Sequence, residues 1–432
     1  MMKQKNLIFI FSDQQHWQAI GVEDAWFETP NLNGLISDGV HFKNSYCTTP
    51  QCSPSRSSML TGFYPSKTGV MGNVGKAGGE PLKMETIGAK LQEADYYTAY
   101  FGKWHLGKEP VGIKGWDEDF GVTGEETTND DLVSNYALKF IQMRKEDDKP
   151  FALFLSYNNP HDIYHFSKEN GPFQNNNIEL PKSFHEVNRD DSPAIHQQFM
   201  DEDQGHVIVN EKDDAWRRYR EIYRDKVKLY DNHVGLVFNE LKNNYFYDDA
   251  LIIATSDHGD MDTHHRLIYK GPFMFDQMMR VPLIMKLPNY LNIKNKSIDT
   301  PTVNIDPVPT ILELLDIPIP NVDGISLKSV LLGVEKKLNR DFIIGEYYSK
   351  QDWVNPIRMI CMNGYKYNYY VGNGEELFDM SKDPEELNSL VNDKSFQTLK
   401  AELKSKLDEW IKNNDDPFYS YSVTSREGKS LN

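Results

Sequence analysis

The chain has 432 residues, of which 39% are hydrophobic and 12% aromatic, and 47 basic against 64 acidic residues leave a formal charge of −17. This composition is typical of a folded globular protein and excludes a disordered chain. The acidic balance argues against a nucleic-acid partner and against a protein that binds anionic membranes.

The apolar run near the N-terminus is short. It covers residues 7–11 and stops at Ser12 and Asp13, so it is shorter than the ~7–15 residues of a signal-peptide apolar region. No run in the sequence approaches the ~20 apolar residues of a membrane span, and three cysteines are too few for a disulfide framework. We therefore expect a cytoplasmic protein, although an exported chain with its leader removed would have the same sequence.

Three apolar runs, each followed by a polar cluster, predict buried strands. They are residues 6–11, 151–156 and 250–255. Helical patterns lie between them at residues 86–94, 132–144 and 215–241. This alternation predicts an α/β fold with a large, mainly parallel mixed sheet flanked by helices. Because ligands bind beyond the carboxyl ends of such strands, the three polar clusters are expected to meet.

The pattern changes near residue 338. Short alternating runs follow at residues 341–348, 358–362 and 365–371. They predict a small antiparallel sheet, and residues 397–412 predict an amphipathic terminal helix. We therefore divide the chain into a large α/β domain, residues 1–337, and a C-terminal α+β subdomain packed on it, residues 338–432. Residues 167–214 are polar and weakly periodic and predict an insertion of loops and short helices, a kind of segment that tends to be functional.

The segment around Cys52 is the most informative part of the sequence. Ser53 is a good N-cap, Pro54 suits a first helical turn and Gly62 suits the end of a helix. Cys52 is then expected just outside a helix N-terminus, where free N–H groups favour an anion. With Arg56 one turn further along, a nucleophile and a cation predict an anion-processing site. The structural alternative is a buried cysteine with Arg56 in solvent.

Metal-ligating side chains follow two of the predicted strands. Asp13 and Gln14 come after the first, and Asp257 and His258 come after the last. Two carboxylates, an amide oxygen and an imidazole suit a divalent cation, and oxygen ligands favour Ca²⁺, with Mg²⁺ as the alternative, over zinc. Cys52 is the further predicted ligand. Alternatively, Asp13 and Asp257 serve only as helix N-caps.

The spacing Cys52-x-Pro54-x-Arg56, with Leu-Thr-Gly at residues 60–62, resembles the signature of type I sulfatases in the alkaline phosphatase superfamily. Further matches occur at residues 102–107, 160–161, 256–259, 270–271, 280–284, 365–367, 376–379 and 383–385. The resemblance spans residues 5–395. It implies an alkaline phosphatase-like fold and conversion of Cys52 to Cα-formylglycine by a separate maturation enzyme. The hydrated aldehyde would attack a sulfate ester, and its second hydroxyl would let sulfate leave by elimination.

The resemblance also implies roles for four further residues. Lys103 would hold a sulfate oxygen or the second hydroxyl, and His105 would be the base that expels sulfate. These two residues are two apart and would share a side of an extended segment. His161 would protonate or bind the leaving oxygen, with Lys270 as a cation beside it. General-acid help of this kind contributes ~10²–10⁴-fold.

The leading hypothesis is therefore hydrolysis of a sulfate ester, with a sulfated carbohydrate as the first choice of substrate and another sulfated small molecule as the second. One alternative is a phosphonate monoester or phosphodiester hydrolase, which would share the fold, metal site and formylglycine. The other is a non-catalytic protein that binds sulfated glycans and keeps Cys52 as a thiol. The sequence gives two alternatives for His264, His265 and Arg266: they bind substrate, or they belong to a solvated loop.

Overall fold

The computed structural model describes residues 5–108, 110, 113–122, 129–145, 148–166, 178–187 and 192–429. The strands are β1 (Leu7–Asp13), β2 (Val40–Phe42), β3 (Ser45–Tyr46), β4 (Tyr97–Lys103), β5 (Glu118–Val122), β6 (Phe151–Pro160), β7 (Leu251–Ser256), β8 (Leu283–Lys286), β9 (Lys296–Ile298), β10 (Thr302–Val303), β11 (Phe342–Lys350), β12 (Trp353–Met362), β13 (Tyr365–Tyr370) and β14 (Gly374–Asp379).

The α-helices are α1 (Pro30–Asp38), α2 (Cys52–Thr61), α3 (Pro65–Thr68), α4 (Ile87–Glu93), α5 (Asp130–Gln142), α6 (Lys182–His185), α7 (Ala194–Glu202), α8 (Asp213–Asn243), α9 (Asp276–Met279), α10 (Pro307–Leu314), α11 (Lys328–Leu331) and α12 (Gln397–Asn413). Short 3₁₀ helices lie at His161–His165, Gln204–Val207, His264–Arg266, Asn289–Leu291, Lys394–Phe396 and Phe418–Ser420. None of the helices in these described stretches has the length and apolarity to cross a bilayer.

The large sheet has eight strands in the order β5-β4-β6-β1-β7-β8-β2-β9. Among these described strands, β8 alone runs antiparallel to its neighbours. Strand β1 is buried on both faces: Phe9 and Phe11 pack with α2, α4 and α10, while Ile8 and Ile10 pack with α1, α5 and α8. An apolar strand with no polar alternation is what a central parallel position requires. The predicted α/β fold is confirmed.

This sheet brings the predicted polar clusters together. Strand β1 pairs with β6 on one side and with β7 on the other, and all three run parallel. Their carboxyl ends therefore lie side by side, as expected for a ligand-binding edge. Asp13 ends β1, Asp257 follows β7 and His161 follows β6.

The C-terminal residues form an antiparallel sheet in the order β11-β12-β13-β14, with α12 packed on β12 and β13. The sequence predicted three of these strands and the helix, but it missed β14. Strand β11 contacts the segment before α2, because the Glu346 N–H donates to the Thr48 carbonyl at 2.7 Å. The sheet therefore borders the Cys52 region. The domain boundary at residues 337 and 338 stays a prediction.

The predicted insertion at residues 167–214 is described only in part, since residues 167–177 and 188–191 lie outside the described residues. The described parts contain α6, α7 and the 3₁₀ helix Gln204–Val207.

Candidate active site

Helix α2 begins at Cys52 itself and is capped after Thr61 by Gly62, whose φ of 80° is in the left-handed region that favours glycine. The predicted N-cap at Ser53 is wrong, because the Ser53 hydroxyl donates instead to the His105 carbonyl at 2.6 Å. The same oxygen accepts the Val74 N–H at 3.1 Å. The helix therefore starts earlier than predicted and is tied to two loops, with Cys52 in its first turn.

Asp13 is at the centre of the buried charges. Its Oδ2 lies 2.7 Å from Lys103 Nζ and 3.0 Å from Arg56 Nη2. Burial raises the pKa of Asp13, but Lys103, His161 and Arg56 outweigh that effect and hold the pKa well below its usual range. Asp13 is therefore an ionised carboxylate inside the protein.

The Cys52 sulfur lies among the same groups. It is 3.2 Å from His258 Nε2 and 3.7 Å from Asp13 Oδ1. Burial and Asp13 raise the pKa of this thiol, yet Lys270, Lys103 and His258 together lower it to about 6. A free thiol has a pKa near 8.5, so Cys52 is in a cation-rich environment that favours a reactive sulfur.

Four side chains offer ligand atoms within 4.8 Å of one another: Asp13, Cys52, Asp257 and His258. All four are fully buried. Two buried carboxylates that converge with an imidazole and a sulfur suit a divalent cation, whose charge offsets theirs. The residues present therefore fit the predicted metal site.

Gln14 joins this group through its backbone and its side chain. Its N–H donates to Asp257 Oδ1 at 3.0 Å, and its Oε1 accepts a hydrogen bond from Lys270 Nζ at 2.7 Å. The other end of the amide donates from Nε2 to Asp260 Oδ2 at 2.7 Å, and the Tyr219 hydroxyl donates to the same carboxylate at 3.0 Å. Asp260 thus orients the amide so that its oxygen faces Lys270.

Asp260 and Tyr219 were not predicted from the sequence. The signal for Asp260 is the group of three aspartates at residues 257, 260 and 262, because a metal site at Asp257 does not need the other two. Tyr219 lies far away in the chain, on α8, and carries no local signal.

Arg56 is fully buried, so the alternative with Arg56 in solvent is wrong. Its Nε donates to Asp257 Oδ2 at 2.8 Å, and its Nη2 pairs with Asp13. Its Nη1 donates to the Lys103 carbonyl at 2.6 Å and to Ser156 Oγ at 2.8 Å. The guanidinium therefore bridges the two carboxylates and the strands β4 and β6.

Lys103 and His105 do not share an extended segment. Lys103 ends β4, but His105 has a φ of 58°, so the alternation expected for an extended pair is lost after Lys103. Lys103 reaches Asp13, while the His105 carbonyl holds Ser53. Lys103 therefore reaches the buried Asp13 and the His105 backbone contacts helix α2; the extended geometry was wrong, and the catalytic roles of both residues stay a prediction.

His161 begins the 3₁₀ helix that follows β6. Burial, Lys103 and Lys270 together lower the pKa of His161 to about 3, against the raising effect of Asp13. The imidazole is therefore neutral in this state. A neutral imidazole beside cations can accept or relay a proton once a negative group enters.

A cavity of about 340 Å³ opens beside these groups. Its lining residues are Gln51, Asn73, His161, Asp162, Tyr164, His165, Gln204, Lys270, Lys350 and Gln351. Tyr164 stacks on Tyr269 with ring centroids 4.3 Å apart, and Lys270 Nζ lies 5.2 Å from the Tyr164 ring. The cavity therefore combines one fixed aromatic ring with amides and cations.

His264 and His265 are buried, which excludes the solvated loop for these two residues. His264 Nδ1 lies 2.9 Å from Ser183 Oγ, and the His265 ring stacks on Phe275 at 3.9 Å. Arg266 is exposed and its Nε donates to the Phe184 carbonyl at 3.2 Å. These contacts attach α6 and α9 to the loop after β7.

The sulfatase family model matches residues 5–317, and a model described as N-sulphoglucosamine sulphohydrolase, C-terminal, matches residues 263–413. A delta 4,5-hexuronate-2-O-sulfatase of Bacteroides thetaiotaomicron is 28% identical over 416 residues, which cover 91% of this chain and 85% of the relative. A solved structure described as a 2-O GAG sulfatase superposes with a TM-score of 0.86 at 26% identity, covering 98% of this chain and 95% of that one.

The fold is also shared with phosphonate monoester hydrolase of Agrobacterium radiobacter. That structure superposes with a TM-score of 0.77, covering 99% of this chain and all of that one. At 20% sequence identity the similarity concerns the fold alone.

Proposed function

Because this chain belongs to the sulfatase family and is a sulfuric ester hydrolase, we propose that it hydrolyses the sulfate ester of a sulfated carbohydrate with a formylglycine made from Cys52. The observation that carries this proposal is the position of the Cys52 sulfur, 3.2 Å from His258 and 3.7 Å from Asp13 in the candidate metal group. A nucleophile beside a cation site is the arrangement that attack on an anionic ester requires.

In this proposal Asp13, Gln14, Asp257, His258 and the modified Cys52 hold Ca²⁺, with Mg²⁺ as the alternative ion. The bound ion would supply positive charge for the sulfate oxygens and the nucleophile. The formylglycine would supply a geminal diol, one hydroxyl of which attacks sulfur while the other permits release of sulfate. A separate maturation enzyme makes the formylglycine from Cys52.

The basic side chains of the site have different roles in this proposal. Lys103, which is 2.7 Å from Asp13, binds a sulfate oxygen or the second hydroxyl. Arg56 is a positioning residue, because its hydrogen bonds hold the Asp13 and Asp257 carboxylates. His105 takes the proton of the second hydroxyl when sulfate is expelled.

The leaving oxygen is placed on the cavity side. His161 and Lys270 line both the candidate site and the cavity, so a sugar in the cavity would present its ester oxygen to them. Lys270 stabilises the developing alkoxide as a fixed cation, and the neutral His161 relays a proton to it.

The cavity supports a carbohydrate as the leaving group. Its volume of about 340 Å³ is at the lower end of the ~300–1,000 Å³ of small-molecule sites, which favours a single terminal sugar ring. The amides of Gln51, Asn73, Gln204 and Gln351 suit hydroxyl groups, and Tyr164 offers a ring face. The relative named above as a hexuronate sulfatase acts on this class of compound.

A substrate panel tests this function. The enzyme, co-expressed with a maturase, is expected to hydrolyse 4-nitrophenyl sulfate and a monosulfated sugar with kcat/KM at least tenfold above that for 4-nitrophenyl phenylphosphonate. The reason is that its cavity and cations suit a sulfate ester whose leaving group is a sugar. Preferred phosphonate turnover would favour the phosphonate monoester hydrolase, whose fold this chain shares. Sugar binding without turnover would favour the non-catalytic alternative.

A further inference from the structure

A second group of charges reaches the cavity through Lys350 and consists of residues other than the four of the candidate metal group. Lys350, at the end of β11, has its Nζ 2.8 Å from Asp203 Oδ2. Arg426, in the C-terminal tail, has its Nε 3.1 Å from Asp203 Oδ1. Three distant parts of the chain thus meet here: the insertion, the C-terminal sheet and the tail.

The position of Lys350 is fixed by its surroundings. Its Nζ lies 4.1 Å from the centre of the Phe199 ring, and the Lys350 residue is only 5% exposed. The tail is held in register because the Thr424 N–H donates to the Val354 carbonyl at 3.1 Å. Lys350 lines the cavity together with Lys270, so both cations are near the same bound molecule.

The charges of this group do not balance. Asp203 is one carboxylate shared by two cations, Lys350 and Arg426. Burial, with smaller effects of Lys270 and Arg426, lowers the pKa of Lys350 to about 8 in spite of Asp203. The excess of positive charge around Lys350 would be relieved by an additional anion.

The acidic group of the lining does not supply that anion. Asp162 lies on the 3₁₀ helix His161–His165, and its Oδ1 accepts a hydrogen bond from Asn158 Nδ2 at 2.7 Å. Asp162 is therefore held toward β6. Among the residues that the structure describes, Asp203 is the carboxylate paired with Lys350, and we take the complementary negative group to come with the substrate.

We propose that Lys350, held by Asp203 and supported by Arg426, binds a second anionic group on the sugar that carries the sulfate ester. The chemistry is that of a carboxylate or a further sulfate, and a charge-assisted hydrogen bond from the ammonium would recognise either. This inference rests on the proposed function, since it concerns the substrate of the same site. It names the substrate class as a doubly anionic sugar, such as a sulfated uronic acid.

The test compares three substrates with Lys350→Met and the wild type. Glucuronic acid 2-sulfate carries a carboxylate beside its sulfate ester, and glucosamine 2,6-disulfate carries a second sulfate. Galactose 6-sulfate has no second anionic group. We expect Lys350→Met to raise KM by about 10- to 100-fold for a doubly anionic sugar relative to galactose 6-sulfate. We expect kcat for that sugar to change little, because Lys350 contacts Asp203 and the Phe199 ring and is not one of the four residues of the candidate metal group.

The three substrates also identify the second group. A loss confined to the uronic acid assigns a carboxylate, and a loss confined to the disulfate assigns a sulfate. Lys67→Met is the matched control, because Lys67 forms a partly exposed pair with Asp323 outside the cavity. Arg426→Gln, at a half-exposed position, is expected to shift the same KM ratio by a smaller factor and replaces Lys350→Met if that variant does not fold.

The inference fails if the wild type is active on galactose 6-sulfate and Lys350→Met, or Arg426→Gln in its place, leaves the ratio of KM for the doubly anionic sugar to KM for galactose 6-sulfate unchanged. The proposed function would still stand in that case. A wild type that is matured at Cys52 and hydrolyses none of the three sugars or 4-nitrophenyl sulfate would overturn both.

Discussion

A Cys52→Ser variant is expected to take up one sulfuryl group and then stop. Serine keeps a hydroxyl at the first turn of α2, beside Asp13 and His258, and can attack sulfur once. It has no second hydroxyl on the same carbon, so sulfate cannot leave by elimination. Steady-state turnover should fall by about 10⁴-fold or more, as for other lost nucleophiles.

This result is measured by intact-protein mass and by release of 4-nitrophenol. The variant is prepared in a host without a maturase, which keeps the serine unmodified, and one equivalent of phenol at most is expected. Cys47→Ser is the matched control, because Cys47 is also buried and its sulfur lies 3.6 Å from the Met278 carbonyl rather than in the metal group. Continuous turnover by Cys52→Ser would contradict the elimination mechanism.

Asp13→Asn is expected to abolish stabilisation of the fold by Ca²⁺. In the wild type, Ca²⁺ at ~100 times its Kd should add about 3 kcal/mol to the free energy of unfolding. Replacing Asp13 removes one metal ligand. It also removes the carboxylate charge that lies 2.7 Å from Lys103 Nζ and 3.0 Å from Arg56 Nη2 in the wild type. Metal affinity and kcat/KM should each fall by about 100-fold or more.

The measurement is thermal unfolding over a Ca²⁺ titration after removal of metal with a chelator, with Mg²⁺ as the second ion. Asp323→Asn is the control, because that carboxylate pairs with a lysine at the surface and outside the metal group. Stabilisation by Ca²⁺ that persists unchanged in Asp13→Asn would remove Asp13 from the ligand set.

Local sequence patterns were sufficient to predict the large sheet. The continuous apolar run of β1 predicts a strand buried on both faces, and the polar residues after it predict the ligand edge. Both follow from rules that need no distant information. Strand β6 extends to Pro160, four residues beyond its predicted end, because the polar Tyr-Asn-Asn stretch at residues 157–159 lacks the apolar signal that defines a strand.

Contacts between distant segments could not be predicted in the same way. The orientation of Arg56 depends on two carboxylates from different strands, and the buried ends of Gln14 depend on Asp260 and Lys270. Lys350 has no motif, and its place at the cavity follows from the packing of β11 against the segment before α2. The contacts of these residues depend on the tertiary structure and could not be predicted from local sequence patterns.

Peptide mass spectrometry of the segment around Cys52 tests the central claim most directly. The protein should come from its native host or from co-expression with a formylglycine maturase. We predict a peptide in which the CH₂SH side chain of Cys52 is replaced by CHO, while Cys47 remains a thiol. A Cys52 that is fully unmodified in an active enzyme would contradict the formylglycine mechanism.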